Sequence, residues 1–63
     1  MPVIYVEGPK MNKEQKEELI KTLTEKSAQI LNLPTQAFTV VINEHDPDNV
    51  GVGGELLSKR LAK

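Results

Sequence analysis

The sequence predicts an α+β fold: a β-α-β protomer with parallel strands, one long helix and a C-terminal β-hairpin. Two apolar runs rich in β-branched residues, Val3 to Glu7 and Phe38 to Glu44, flank a segment with helical periodicity. A glycine-rich stretch after the second run indicates a small hairpin. Because a right-handed crossover through a helix sets consecutive strands parallel, this order of elements predicts a βαβ unit.

The first strand is predicted at Val3 to Glu7. Its residues are mainly β-branched or aromatic, which favours a pleated, half-buried segment. Gly8-Pro9 follows directly and cannot continue a regular ladder of hydrogen bonds. The strand is therefore expected to end there.

The helix is predicted to begin at about Lys13 and to end near Asn32. Asn12 is a typical N-cap, and Gln15 can return its hydrogen bond in a capping box. Asn32 tolerates a left-handed conformation, and Pro34 disfavours helix in the residue before it. The helix would have roughly 20 residues and be about 30 Å long. Apolar or small residues recur at helical spacing and predict one face that covers a sheet: Leu19, Ile20, Leu23, Ser27, Ile30 and Leu31.

The second strand, Phe38 to Glu44, has a nearly continuous apolar centre, which predicts burial on both faces. A single helix covers only one face of a two-stranded sheet, so we expect another copy of the chain to cover the other. The turn-rich segment 45–49 and the hairpin follow. Leu56 to Leu61 is compatible with one helical turn and with an extended tail.

The composition predicts a single domain over residues 1–63. A chain of 63 residues has room for one small core, and such domains usually add disulfides, metal or oligomerisation. The chain has no cysteine and one histidine, which argues against disulfides, thiol chemistry and a metal site. Oligomerisation is therefore expected.

The charge pattern argues against nucleic-acid and membrane partners. Eight basic and nine acidic residues give a net charge of -1, with no basic patch. No signal segment opens the chain, and no apolar run approaches the roughly 20 residues that span a bilayer. We therefore expect a cytoplasmic protein. The segment Gly51-Val52-Gly53-Gly54 lacks the lysine of a P-loop and the GxGxxG spacing, which argues against nucleotide binding.

The Met1-Pro2 start offers a candidate catalyst. Removal of Met1 would leave Pro2 as a secondary amine at the beginning of the first strand. An α-amino group titrates about a unit above neutrality, and burial or a nearby cation lowers its pKa towards that of a working general base. With Met1 attached, the Pro2 nitrogen is a tertiary amide and has no basic lone pair. Many ordinary proteins also begin with Met-Pro, so this signal needs support from the rest of the chain.

Three short motifs, in this order, give that support. They are the Met1-Pro2 start, Glu14-Gln15-Lys16 at the helix entry, and Gly51-Val52-Gly53-Gly54-Glu55 near the end, followed by Leu56 and Ser58-Lys59. Together they resemble the 4-oxalocrotonate tautomerase (2-hydroxymuconate tautomerase) family over the full length of the chain.

This resemblance implies both an assembly and a reaction. The assembly would be a homohexamer, a trimer of dimers in which each dimer has a four-stranded sheet. The reaction would be an isomerisation without metal or organic cofactor. Pro2 would act as the catalytic base and move a proton from the 2-hydroxyl of a dienol acid, such as 2-hydroxymuconate, to a distant carbon.

The chain departs from the family pattern at three expected substrate-binding positions. The family arginine after the Glu-Gly of strand one is replaced by Pro9-Lys10, so Lys10 is the nearest cation. Lysine lacks the bidentate fork of arginine and would orient a carboxylate more loosely. A solvated loop charge is the alternative for Lys10. The second family arginine corresponds to Thr39, and an aromatic wall before the hairpin corresponds to Val50.

Other cations offer the charge that these positions lack. Arg60 or Lys59 in the tail, or His45 after strand two, could supply it, although surface cations are mostly solvated and a histidine beside Asp46-Pro47 is typical of a turn. We include Arg60 among the substrate-binding candidates. The two aromatic residues, Tyr5 and Phe38, are expected in the core or in subunit contacts and could border the pocket.

Two other functions remain open from the sequence. The first is a proline-dependent hydratase or dehalogenase of unsaturated acids, which would need more cationic and carboxylate groups than the chain visibly offers. The second is a non-catalytic oligomeric binding module of the same fold, which the missing arginines favour. Chloride release from 3-chloroacrylate would identify the first alternative, and saturable tautomerisation of a dienol acid would exclude the second.

Overall fold

The computed structural model describes residues 1–62 and has the predicted order of elements. The βαβ unit consists of β1 (Val3–Gly8), α1 (Lys13–Leu31) and β2 (Thr39–Glu44). The C-terminal part consists of β3 (Gly51–Val52), β4 (Glu55–Leu56) and the short helix α2 (Leu57–Leu61). Two 3-10 turns, Thr35–Ala37 and Pro47–Asn49, precede β2 and β3 respectively. Within residues 1–62, the α+β prediction of parallel strands, one long helix and a hairpin is confirmed.

β1 and β2 are parallel neighbours, as the crossover argument predicts. The register pairs Val3 with Thr39 at one end and Gly8 with Glu44 at the other. β2 begins one residue later than predicted, because the N–H of Phe38 donates to the carbonyl of Thr35 in the preceding 3-10 turn. The strands thus start together and end together, which places the loops after both strands at the same edge.

The two faces of this sheet differ in burial. Even-numbered residues of both strands are half-buried, except Glu44 at the end of β2, whereas odd-numbered residues are exposed. On the exposed face, Val3, Tyr5 and Val41 keep 44%, 67% and 37% of their accessible surface. The predicted burial of β2 on both faces is therefore wrong for the single chain, because α1 covers only one side. We call Val3, Tyr5 and Val41 the open sheet face.

The ends of α1 have the predicted caps. The Asn12 side chain accepts a hydrogen bond from the Gln15 N–H at 2.8 Å, and the Gln15 side chain accepts one from the Asn12 N–H at 3.0 Å. Asn32 closes the helix in the left-handed region, with φ of 56°. Only part of the predicted apolar face is covered, since Ile30 remains 70% exposed and Leu31 54%. Both residues lie in the last turns of the helix, beyond what the two strands of this chain cover.

The hairpin turn explains the glycine-rich motif. Gly53 and Gly54 both have positive φ, 62° and 84°. A two-residue turn with this geometry matches the twist of the flanking strands, and glycine adopts it without a Cβ penalty. The pairing of Val52 with Glu55 follows from it.

The chain has little core of its own. Its radius of gyration is 15.1 Å, whereas a compact domain of this length would have about 11 Å. Its accessible surface is 5019 Å², against roughly 4,000 Å² for a typical monomer of this mass. Among residues 1–62, only Ala28 is buried. These values favour a chain that completes its core with other copies. No helix in the described part combines the length and apolarity needed to cross a bilayer.

Candidate active site

Pro2 and Thr39 lie together at the amino end of the strand pair. The carbonyl of Pro2 accepts a hydrogen bond from the Thr39 N–H at 3.1 Å, which extends the ladder by one step beyond Val3. Pro2 is half-buried, and Met1 before it is 96% exposed. Two predicted site positions are therefore adjacent, and the residue that blocks the Pro2 nitrogen projects into solvent.

The carboxyl end of the strand pair carries a polar cluster of Glu7, Asn43 and His45. Glu7 accepts from the Asn43 side-chain amide at 2.7 Å, and its other oxygen lies 2.5 Å from Nε2 of His45. The register brings these groups together because Glu7 is the partner of Asn43. The hydrogen bond with His45, followed by that with Asn43, lowers the pKa of the Glu7 carboxyl. The cluster thus holds a carboxylate.

Two further carboxylates at this end anchor the loop before α1. Glu44 accepts from the Met11 N–H at 2.7 Å and pairs with Lys16 at 3.1 Å, and these contacts lower its pKa in that order. Asp46 accepts from the Asp48 N–H at 2.9 Å, the main cause of its lowered pKa, and lies 3.5 Å from Lys10. Lys10, a predicted site residue, and Lys16, which was not predicted, are therefore each paired with a carboxylate.

A pocket of about 350 Å³ opens beside the cluster. The end of β1, the second 3-10 turn and α2 enclose it, and the hydrogen bond from the Leu57 N–H to the Val50 carbonyl at 2.8 Å holds α2 against the turn. Glu7 and His45 form its polar edge. The other lining residues are uncharged: Gly8, Pro9, Pro47, Val50, Leu57 and Leu61.

A larger depression of about 580 Å³ runs along the first half of α1. Its lining comes from one helix and the turn before it, from Met11 to Thr22, with no second element opposite. Such a shallow surface holds a small ligand poorly, because a ligand site normally encloses most of its ligand. We therefore take the enclosed pocket as the candidate binding site.

The predicted site residues divide between the two ends of the strand pair. Pro2 and Thr39 lie at the amino end, whereas Lys10 and Val50 lie at the carboxyl end. Arg60 is on α2, where its Nε lies 4.0 Å from a Glu55 oxygen. At roughly 3.3 Å per residue, a six-residue strand separates the ends by about 20 Å. Within one chain, Pro2 does not meet the pocket.

Sequence reasoning missed Glu7 and Asn43 and gave His45 a minor place. The signal was available: Glu7 ends the first apolar run and His45 follows the second. Carboxyl ends of parallel strands meet at one edge of a sheet, where ligands commonly bind. In residues 1–62, no group of three or more His, Asp or Glu side chains could hold a metal ion.

Comparison with known families decides the assignment of the chain. A sequence model described as "Tautomerase enzyme" matches residues 2–60, which is nearly the whole chain and begins at Pro2. The chain belongs to the tautomerase family. It is an isomerase of the 4-oxalocrotonate tautomerase type, and the predicted family is confirmed.

Individual relatives agree with this tautomerase assignment. A 2-hydroxymuconate tautomerase from Pseudomonas putida is 42% identical over 48 residues, 76% of each chain. One from Pseudomonas fluorescens is 36% identical over 61 residues, 94% of this chain and 95% of that one. The crystal structure of DmpI from Archaeoglobus fulgidus has a TM-score of 0.83 at 40% identity, covering 90% of this chain and 98% of that chain. The fold of this tautomerase is thus that of known members.

Proposed function

We propose that this tautomerase moves a proton within 2-hydroxydienoates or related enol and keto acids, with Pro2 as its general base. The position of Pro2 carries the proposal. It lies at the start of β1 with a single exposed residue before it, and the family match begins at it. The two Pseudomonas relatives, named 2-hydroxymuconate tautomerases, support an enol acid as substrate.

In the proposed reaction, the proline amine both accepts and returns the proton. After Met1 is removed, the Pro2 nitrogen is a secondary amine that accepts the proton of the substrate's 2-hydroxyl. The oxygen then forms a carbonyl, and the double bonds shift along the chain to a distant carbon. The proline ammonium returns the proton to that carbon and is restored. Substrate and product are isomers, and the amine is unchanged.

The amine and the pocket would come from different copies of the chain. About 20 Å separates the two ends of the strand pair, which is too far for one small substrate to span. Association of copies through the open sheet face would bury Val3, Tyr5 and Val41 and complete the site. A homohexamer built as a trimer of dimers satisfies both needs.

The remaining site residues have unequal support as substrate ligands. Val50 lines the pocket and would provide an apolar wall. Lys10 is a point charge, 74% exposed and paired with Asp46, and would hold a carboxylate only by exchanging that partner. Thr39 adjoins Pro2 and would offer a hydroxyl. Arg60 would have to turn from Glu55 towards the substrate.

A Pro2→Ala variant tests the proposal. The measurement is the loss of the enol ultraviolet absorbance of 2-hydroxymuconate and of phenylenolpyruvate, after intact mass has confirmed that Met1 is absent. We expect a fall in kcat/KM of about 100-fold or more, the usual contribution of general base catalysis. Pro34→Ala, which changes a proline outside both ends, is the matched control. Undiminished activity of Pro2→Ala would refute the proposal.

A further inference from the structure

We propose that the pocket selects a monoanionic substrate: an enol acid with one carboxylate and an uncharged apolar tail, the tail lying against Val50 and Leu57. This inference rests on the proposed function and names the substrate class of its site. It distinguishes this chain from an enzyme whose substrate carries a carboxylate at both ends.

The pocket wall gives the first argument. Six of its eight lining residues are glycine, proline, valine or leucine. An apolar tail placed there leaves water, and each buried methylene strengthens binding roughly fourfold. The volume of about 350 Å³ is at the lower end of small-molecule sites, which suits a short chain or a single ring.

The charges at the pocket edge give the second argument. Within residues 1–62, the lining contains one full negative charge, Glu7, and its only other ionisable group is His45, which is already hydrogen-bonded to Glu7. The neighbouring cations are also paired, Lys10 with Asp46 and Lys16 with Glu44. The carboxylates here therefore have partners, and among residues 1–62 of one chain no cation lines the pocket.

A second carboxylate on the substrate would be penalised at this place. It would lose hydration against the apolar wall and approach the Glu7 carboxylate, and both effects weaken binding. Recognition of a carboxylate inside such a pocket normally uses the bidentate fork of an arginine. Arg60, the nearest arginine, lies on α2 beside Glu55. A substrate that ends in a methyl or aryl group has no second charge, so it neither loses charge hydration nor is repelled by Glu7.

Binding of two unreactive acids of equal length tests the inference. Sorbate and trans,trans-muconate share a six-carbon diene and differ at one end, a methyl group against a carboxylate. Both lack the 2-hydroxyl, so neither tautomerises. In NMR titrations of the mature protein, we expect sorbate to bind about tenfold more tightly and to shift the methyl signals of Val50 and Leu57. Equal or tighter binding of muconate, or no binding of either acid, would overturn the inference.

Glu7→Gln tests the role of the edge charge. Removing this charge should raise the affinity for muconate about threefold while leaving that for sorbate nearly unchanged, because the second carboxylate would lie nearest to Glu7 and the carboxylate that both acids share would lie farther away. Glu25→Gln, which removes an exposed charge of α1 away from the pocket, should change neither. A muconate-to-sorbate ratio that stays the same in Glu7→Gln would contradict the assignment.

Turnover of the corresponding hydroxylated pair separates this inference from the function on which it rests. The pair is 2-hydroxyhexa-2,4-dienoate and 2-hydroxymuconate, and we expect a higher kcat/KM for the monoacid. If neither is converted, the proposed function fails, while the binding order still decides the selectivity of the pocket. If the diacid is converted faster, the inference fails and the function stands.

Discussion

The two ends of the β1–β2 pair are chemically different. The amino end has Pro2 and Thr39, joined by one backbone hydrogen bond, beside an exposed Met1. The carboxyl end has three carboxylates with lowered pKa values, Glu7, Glu44 and Asp46, and an apolar pocket that Glu7 borders. The proposed base, Pro2 after removal of Met1, lies at one end, and the pocket lies at the other.

This difference supports the proposal that the chain acts as an assembly of copies. Parallel strands place the loops that follow them at one edge, and ligands commonly bind there. The proposed catalytic amine of Pro2 lies at the opposite edge. Association of copies, as proposed, would bring that amine to a pocket and would also cover the open sheet face.

The largest effect is expected from breaking the assembly with Tyr5→Asp. Tyr5 is 67% exposed on the open sheet face, and a carboxylate there would be buried without a partner on association. We expect the mass measured by light scattering to fall and tautomerase activity to be lost with it. Gln29→Asp adds the same charge to an exposed position of α1 and should leave the mass unchanged. An intact oligomer in Tyr5→Asp would show that this face is not an interface.

A smaller effect, about 100-fold in kcat/KM, is expected from placing a carboxylate in the pocket with Val50→Asp. The new charge would repel an anionic substrate and lose hydration in an apolar site. Val50→Thr, which keeps the shape without a charge, should lose far less. If the Val50→Asp protein keeps its oligomer and is as active as the parent protein, the pocket lies outside the active site. The proposed difference between the two ends would then be wrong.

The smallest effect is a pH response confined to the carboxyl end. Because the pKa of Glu7 is lowered, its hydrogen bonds stabilise the fold above the ordinary value of 4.5 and are lost as pH falls through the lowered value. An NMR titration should therefore shift the Asn43 side-chain amide below pH 4.5, while the Thr39 N–H stays constant. In Glu7→Gln the Asn43 response should disappear. If the Thr39 N–H signal shifted over the same pH range as the Asn43 amide, the pH response would not be confined to the carboxyl end.

The backbone elements were predictable because their signals are local. Asn12 and Gln15 cap a helix through contacts within three residues, and Gly53-Gly54 makes a turn through its own φ angles. The α2 helix was left open between two conformations, since Leu57–Leu61 is too short for periodicity to decide. Burial of β2 was overestimated because α1 covers only one face of the two-stranded sheet.

The side-chain cluster was less predictable because it depends on register. Glu7, Asn43 and His45 meet only because the strands pair Glu7 with Asn43, and no local pattern fixes that pairing. Lys10 shows the same limit: its charge is evident in the sequence, but its partner Asp46 becomes adjacent only in the fold. The roles of Pro2, Lys10, Thr39, Val50 and Arg60 stay predictions.

Mixing two inactive variants tests most directly whether the site takes its base and its pocket from different copies. Pro2→Ala chains keep the pocket, and Val50→Asp chains keep the amine. If each variant alone is inactive and they are co-assembled in equal amounts, random association should restore about a quarter of the parent activity, because one site in four pairs an intact amine with an intact pocket. Oligomers that contain both chains and remain inactive would contradict the shared site.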